Sequence, residues 1–182
     1  MKYFKKIVGE RLYLSPINSE DYELYTKWMN DFETAKYITQ LTNVVSLDAE
    51  KEYLANITSS KYHFAIVLNE EDRLIGNISL MNVHEVDRNA ELGIFIGEAT
   101  DRNKGYGSEA IKLLLDFSFN YLNFHNIMLK AYSFNERAIN AYEKCGFKEF
   151  GTWKESHYFD GKYYDEVFMS ILKDDFNKDQ HK

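Results

Sequence analysis

The stretch "DRNKGYGSEA", Asp101 to Ala110, decides how the sequence is read. Two glycines, Gly105 and Gly107, stand one residue apart. Arg102 and Lys104 precede them, and "SEAIKLLLDFSFNYL" follows with the apolar spacing of a helix. The strand-like run "AELGIFIG" comes shortly before. Glycine lets another group approach the backbone closely. A loop entering a helix points N–H groups outward at the positive end of the helix dipole. The stretch therefore predicts an anion site of the kind that holds phosphate.

Three phosphate-binding patterns compete for these residues. The G-x-x-x-x-G-K-[ST] spacing of a P-loop is absent. "GYGSEA" fits G-x-G-x-x-A, the dinucleotide pattern, but its setting differs. "EATDRNK" separates the strand "IFI" from Gly105, whereas a dinucleotide turn leaves its strand almost at once. The next strand, "IMLKAY", also ends without the acid expected for a ribose. The third pattern is R-x-x-G-x-G. Here Arg102, Asn103, Lys104, Gly105, Tyr106, Gly107 and Ser108 form the turn, the backbone N–H groups of Lys104 to Ser108 point into it to meet a pyrophosphate, and Arg102 and Lys104 add charge at the rim. A flexible glycine-rich loop before a helix is the plain alternative.

Outward from that stretch, the chain has the composition of one folded domain. Its 182 residues are 45% hydrophobic and 16% aromatic, too apolar for a disordered chain. A formal net charge of −7 argues against nucleic acid and anionic membranes as partners. Cys145 is the only cysteine, so no internal disulfide and no cysteine-based metal site is expected. Beside Gly146 it reads as a small buried residue near a helix C-cap. The five histidines lack an H-x-x-x-H spacing, so no metal is expected. The N-terminus lacks the pattern of a secretory signal, and no apolar run reaches the roughly 20 residues of a membrane span. The expectation is a cytoplasmic protein.

The element order follows from periodicity. "RLYLSPI" alternates as a first strand. Asn18 or Ser19 caps a helix running to about Asn30. "SLDAEKEYLANITS" is a second helix, capped by Ser46 or Asp48. "YHFAIVL", "LIGNISLMNVH" and "AELGIFIG" are three antiparallel-looking strands. The glycine stretch and its helix come next, then the strand "NIMLKAYS" and the helix "NERAINAYEKCG". A hairpin closes the order, with "DGK" as its turn. This is an α+β (mixed α/β) fold with one central, mostly antiparallel sheet flanked by helices. A single domain over 1–182 is expected, with its core at about 10–172 and a polar, fraying tail at 173–182.

The R-x-x-G-x-G stretch resembles the acyl-CoA binding motif of the GNAT N-acetyltransferases, [Q/R]-x-x-G-x-[G/A]. "NERAINAYEKCGF" looks like the helix of that family with an Ala-x-x-x-Tyr-x-x-x-Gly-Phe-like pattern. "AELGIFIG" and "YYDEVFMSIL" are similar to a branch that includes the ribosomal-protein alanine and spermidine acetyltransferases. The resemblance runs from Glu10 to about Leu172. It implies transfer of acetyl from acetyl-CoA to a primary amine, by direct attack.

Residue roles follow partly from the resemblance and partly from placement. In the family the central strand splays from its neighbour and its freed backbone holds the pantetheine arm. That implies Phe95 and Ile96 here, although both also read as core strand. Tyr142 matches the family tyrosine that protonates the leaving thiolate. Asn135 matches an N-cap asparagine that holds the pantetheine, and it shares a helix face with Tyr142. Glu91 shares a strand face with Gly93 and Phe95 and is the expected base, acting directly or through a water. It reads equally as a salt-bridged strand residue, with Arg88 as its neighbour. Glu85 and His84 are weaker alternatives in a turn. Arg137 and Lys144 either reach the phosphate of the CoA nucleotide or, in the preferred reading, form the solvated face of their helix. A protein N-terminus, a polyamine or another small amine is the expected acceptor. The acceptor side would be built from the first two helices, "YITQLTNVVS" and the hairpin, with acids at Asp31, Glu33, Asp160, Asp165 and Glu166. A homodimer is implied by the family. A CoA-binding sensor without turnover is the alternative class.

Overall fold

The computed structural model describes residues 1–38 and 42–180. Residues 39–41, inside the expected acceptor-side loop, and the last two of the expected tail lie outside the described residues. Eight strands form one sheet in the order β1-β2-β3-β4-β5-β6-β8-β7. They are β1 (Ile7–Val8), β2 (Leu12–Pro16), β3 (His63–Leu68), β4 (Leu74–His84), β5 (Asn89–Ile96), β6 (Asn126–Tyr132), β7 (Lys148–Phe159) and β8 (Lys162–Leu172). The β1·β2, β2·β3, β3·β4, β6·β8 and β7·β8 pairs are antiparallel, and β5·β6 is parallel. The helices are α1 (Tyr22–Asn30), α2 (Phe32–Ala35), α3 (Leu47–Ile57), α4 (Tyr106–Asp116), α5 (Glu136–Lys144) and α6 (Lys173–Gln180). Among the described residues no helix is long and apolar enough to cross a membrane.

The chain forms two compact units, Met1–Ser79 with Ile94–Ala110, and Leu80–Gly93 with Ile111–Lys182. The first is built round Tyr13, Tyr25, Trp28, Leu54 and Val67, all buried. Its helices start where side chains can cap them. Asn18 accepts from Glu20 N at 3.0 Å, opening a 3₁₀ turn (Ser19–Asp21) before α1, and Ser46 accepts from Ala49 N to open α3. β2 does not alternate as its sequence suggests. Leu12, Tyr13, Leu14 and Ser15 are all buried, because the strand is covered on both faces. Tyr13 is accommodated there by a hydrogen bond from its hydroxyl to Asp72.

The second unit buries Ile127 and Leu129 of β6 with Met169 and Ile171 of β8. After α4 the helix widens into a π-type turn, Phe117–Tyr121. The β7–β8 hairpin turns at Asp160 (φ 49°) and Gly161 (φ 76°). Positive φ at both central residues is what a tight Asp-Gly hairpin turn requires. The register shifts twice, between Glu149 and Gly151 and between Trp153 and His157.

Three elements depart from the sequence reading. β1 and α2 were not expected, being two and four residues long. The tail does not fray over 173–180 but forms α6. Phe176 is buried and packs on Phe119, with ring centroids 5.4 Å apart, and Lys148 pairs with Asp175 at 2.9 Å. One buried aromatic is worth roughly 1.5–3 kcal/mol, enough to dock an otherwise polar turn.

Candidate active site

The glycine turn belongs to the first unit. After β5 the chain makes a 3₁₀ turn, Ala99–Asp101, passes Asn103 (φ 62°) and reaches Gly105 (φ 81°). A side chain at 105 would be strained in that left-handed conformation, and its Cβ would lie 3.3 Å from Arg11 Nη2. α4 begins at Tyr106. Tyr106, Gly107 and Ser108 therefore occupy the turn whose N–H groups have no acceptor within the helix. Among the described residues, a Cβ at Gly107 would meet only Ile94 Cδ1, at 4.0 Å. Packing among the described residues does not require glycine there.

Two arginines hold this turn from outside it. Arg11 donates from its backbone N and from Nε to the two carboxylate oxygens of Glu109, each at 2.8 Å. Its Nη1 donates to Lys104 O at 2.8 Å, and its guanidinium lies over the Tyr106 ring. Arg73 donates to both oxygens of buried Asp101, at 2.7 and 3.0 Å. Those bonds hold the Asp101 carboxyl below its ordinary range, against the opposing effect of burial. Lys104 keeps an exposed ammonium, 3.9 Å from Asp101.

Arg102 is not arranged as the sequence suggested. Its guanidinium donates to Ile96 O (3.1 Å), Gly97 O (2.7 Å), Thr34 Oγ1 (2.7 Å) and Glu33 O (3.3 Å). The reason is local: backbone carbonyls at the end of β5 need donors, and the arginine fork supplies several at once. Lys104, not Arg102, presents the side-chain charge of the turn.

The Phe95 side chain and the Ile96 carbonyl are both engaged inside the protein. The Phe95 ring stands edge-on to Tyr25 (6.1 Å) and Trp28 (5.8 Å), so its side chain is core. The Ile96 carbonyl is taken by Arg102. The ladder from β5 to β6 covers only Asn89↔Asn126, Ala90↔Ile127 and Glu91↔Met128, although β5 continues to Ile96. Gly97, which sequence reading passed over, is fixed by Trp28. A Cβ there would sit 2.1 Å from the indole Cε2.

The remaining expected residues belong to the second unit. Asn135 caps α5, its side-chain oxygen accepting from Ala138 N at 3.3 Å. Tyr142 lies two turns on, half-buried, with Phe147 edge-on at 6.2 Å. Burial, then the neighbouring Cys145, push its hydroxyl pKa up to about 12, and Arg137 opposes them. Cys145 is the buried C-cap, followed by Gly146 at φ 96°. Arg137 and Lys144 are exposed.

Glu91 has a different partner from the one its neighbours suggested. It accepts from Asn82 Nδ2 at 2.8 Å and faces Lys130 Nζ at 3.8 Å. The same ammonium is 4.0 Å from Glu166. The two glutamate side chains are 13% and 12% exposed, so both carboxylates are largely out of water. Arg88 instead turns the chain at φ 54°, its carbonyl accepting from His125 N. His84 and Glu85 are exposed. Of the acids on the expected acceptor side, Asp31 accepts from Thr34, Glu33 pairs with Lys36, and Asp165 accepts from Glu155 N. Asp160 is in the hairpin turn.

The sequence model of the acetyltransferase (GNAT) domain matches residues 11–148. The chain belongs to the GNAT acetyltransferase family. This GNAT protein is an acetyl-CoA-dependent N-acetyltransferase with the mixed α+β fold of its family. It is 32% identical to the spermidine N(1)-acetyltransferase of Vibrio cholerae, over 69% of this chain and 72% of that one. It is 33% identical to a putative ribosomal N-acetyltransferase of Bacillus subtilis, over 55% of this chain and 54% of that one. A crystal structure of Vibrio cholerae spermidine N-acetyltransferase with CoA and spermine superposes with a TM-score of 0.82. The match has 27% identity and covers 93% of this GNAT chain and 99% of that one.

Sequence reading missed the Arg11–Glu109, Arg73–Asp101 and Lys130–Glu166 contacts. Their partners stand 98, 28 and 36 residues apart, and no local pattern connects them. Arg11 and Arg73 stand just before β2 and β4, and Lys130 lies within β6.

Proposed function

We propose that this enzyme transfers acetyl from acetyl-CoA to a primary amine of a polyamine or a similar small polycation. The observation that carries the acceptor class is Lys130. Its ammonium is held between Glu91 and Glu166 at 3.8 and 4.0 Å, by two carboxylates largely withdrawn from water. Two carboxylates against one ammonium leave a net negative charge to which a cationic acceptor is drawn. The likeness to a spermidine N(1)-acetyltransferase supports the same class.

The N–H groups of Lys104 to Ser108 and the Lys104 ammonium bind the pyrophosphate of CoA, with Asn103 and Tyr106 completing the turn. Gly107, which internal packing does not explain, lets the phosphate approach. The Phe95 and Ile96 backbone and the Asn135 cap hold the pantetheine arm. The amine nitrogen attacks the thioester carbonyl directly, a C–N bond forms and the C–S bond breaks. Tyr142 gives its phenolic proton to the leaving sulfur, and Glu91, directly or through a water, takes the proton lost by the amine. With its pKa pushed up to about 12 the Tyr142 phenol is protonated at neutral pH, so a proton is in place to stabilise charge as it develops on the sulfur.

Glu166→Gln tests the acceptor class. Its spermidine KM rises about tenfold with the acetyl-CoA KM unmoved, as loss of one charge-assisted contact predicts. An unchanged spermidine KM counts against a polycation at these carboxylates. A second reading, acetylation of a ribosomal-protein N-terminus, is favoured by the likeness to the Bacillus subtilis protein. Turnover of an N-terminal peptide in preference to spermidine would select it. Binding of CoA with no turnover of any amine would select a sensor.

A further inference from the structure

Arg102 belongs to the R-x-x-G-x-G pattern by position but not by the direction of its side chain. Its backbone sits between buried Asp101 and the glycine turn. Its guanidinium reaches α2, where Nη2 donates to Thr34 Oγ1 at 2.7 Å and Nη1 to Glu33 O at 3.3 Å. α2 has four residues, and a helix that short does not hold itself. Thr34 is its anchor, 3% exposed, with its hydroxyl 2.5 Å from Asp31 Oδ2 and 3.1 Å from Gly97 O. The order of α2 thus depends on the end of β5 and on Arg102.

We propose that Arg102 is a positioning residue that couples the glycine turn to α2. A ligand that fixes the turn fixes the Arg102 Cα, and with it the fork that holds Thr34 and the Glu33 carbonyl. α2 belongs to the segment expected to face the acceptor, so seating acetyl-CoA prepares that segment. By thermodynamic reciprocity, an acceptor that engages α2 tightens acetyl-CoA by the same factor. The coupling rests on the reading that the turn holds CoA. It requires no new contact: the arginine fork already spans both elements, and only its freedom changes.

Hydrogen exchange with mass spectrometry on the full chain, with and without CoA, reads this directly. The amides of Thr34, Ala35, Lys36, Tyr37 and Ile38 all bond to carbonyls of residues 31–35, so their exchange reports opening of α2. In the wild type, saturating CoA slows exchange there by about fivefold, the low end of ordinary coupling. In Thr34→Val, which keeps the shape and removes the hydroxyl, CoA still binds within about threefold of wild type. Its CoA-dependent slowing falls below about twofold, and Arg102→Lys loses the slowing as well. A purely structural bond would speed exchange equally with and without CoA and leave the ratio unchanged. An unchanged ratio in both variants overturns the coupling. So does a wild type that binds CoA with no slowing at α2, or a Thr34→Val that no longer binds CoA. A wild type that does not bind CoA overturns the reading of the turn itself, and the coupling falls with it.

Discussion

Arg11 and Glu109 are joined twice. The backbone N and the Nε of one arginine donate to the two oxygens of one carboxylate, both at 2.8 Å. The arginine then reaches Lys104 O, so the residue just before β2 holds the entrance to α4. A turn that must present its N–H groups to a ligand is worth more when it is held in shape beforehand.

Arg11→Met keeps the backbone bond to Glu109 and removes the side-chain bonds to Glu109 and Lys104 O, without touching the turn's own residues. Arg11 is about half exposed, so the fold tolerates the change. The acetyl-CoA KM rises about tenfold, as loss of a charge-assisted hydrogen bond predicts, while kcat changes by less than about threefold. Steady-state kinetics at fixed acceptor separate the two. An equal loss in both would point to a general loss of fold.

Tyr142→Phe keeps the packing on Phe147 and removes only the acidic proton. Loss of a general acid lowers kcat about 10²–10⁴-fold. With its pKa pushed up to about 12, the Tyr142 hydroxyl remains protonated through pH 10. The alkaline limb of the kcat profile below pH 10 therefore does not come from this residue. A stopped assay from pH 7 to 10 checks both statements.

Gly97→Ala places a methyl 2.1 Å from the Trp28 indole, which is itself buried and bonded to Glu98. Overpacking of this kind costs about 1–3 kcal/mol. Urea unfolding should show the loss at an unchanged m-value. A neutral result would mean that the Trp28 ring relocates freely, contrary to its edge-on packing with Tyr25 and Phe95.

Burial lowers the pKa of His157, which stacks on Tyr132 with ring centroids 3.7 Å apart, although nearby Glu166 opposes the shift. Burial lowers His63 as well. Both folded values lie below the unfolded value of about 6.5. Between those values the unfolded chain binds more protons, so stability is full above about pH 6.5 and declines as pH falls through the folded values. Melting curves from pH 7.5 to 5 should show this slope, and His157→Phe should flatten it. Asp101 acts in a lower window. Arg73 depresses its pKa, so its contribution is present above about pH 4 and is lost as pH falls further.

What the sequence made legible was local. The glycine pair before a helix, Asn135 as a cap, Cys145 beside Gly146 and the Asp-Gly hairpin turn each declare themselves within a few residues. Asn135 caps α5, Cys145 ends it before Gly146 at φ 96°, Asp160 and Gly161 turn the hairpin at positive φ, and of the glycine pair Gly105 precedes α4 while Gly107 lies in its first turn. What stayed hidden depends on distant partners. α2 exists because Thr34 meets Gly97 and Arg102, and α6 because Phe176 finds Phe119. Glu91 looked towards Arg88 in sequence, but the parallel pairing of β5 with β6 gives it Lys130. Arg102 looked like a phosphate ligand because its neighbours in sequence suggest one. Its carbonyl acceptors at Ile96 and Gly97 appear only once β5 ends beside it.

The most direct test is thiol release from acetyl-CoA by the wild-type protein against spermidine, short peptides with varied N-termini and other small amines, with CoA-dependent thermal stabilisation measured alongside. The account predicts stabilisation by CoA and rapid thiol release with spermidine, well above the peptides. Stabilisation by CoA without thiol release on any amine, or release confined to the N-terminal peptides, would contradict it.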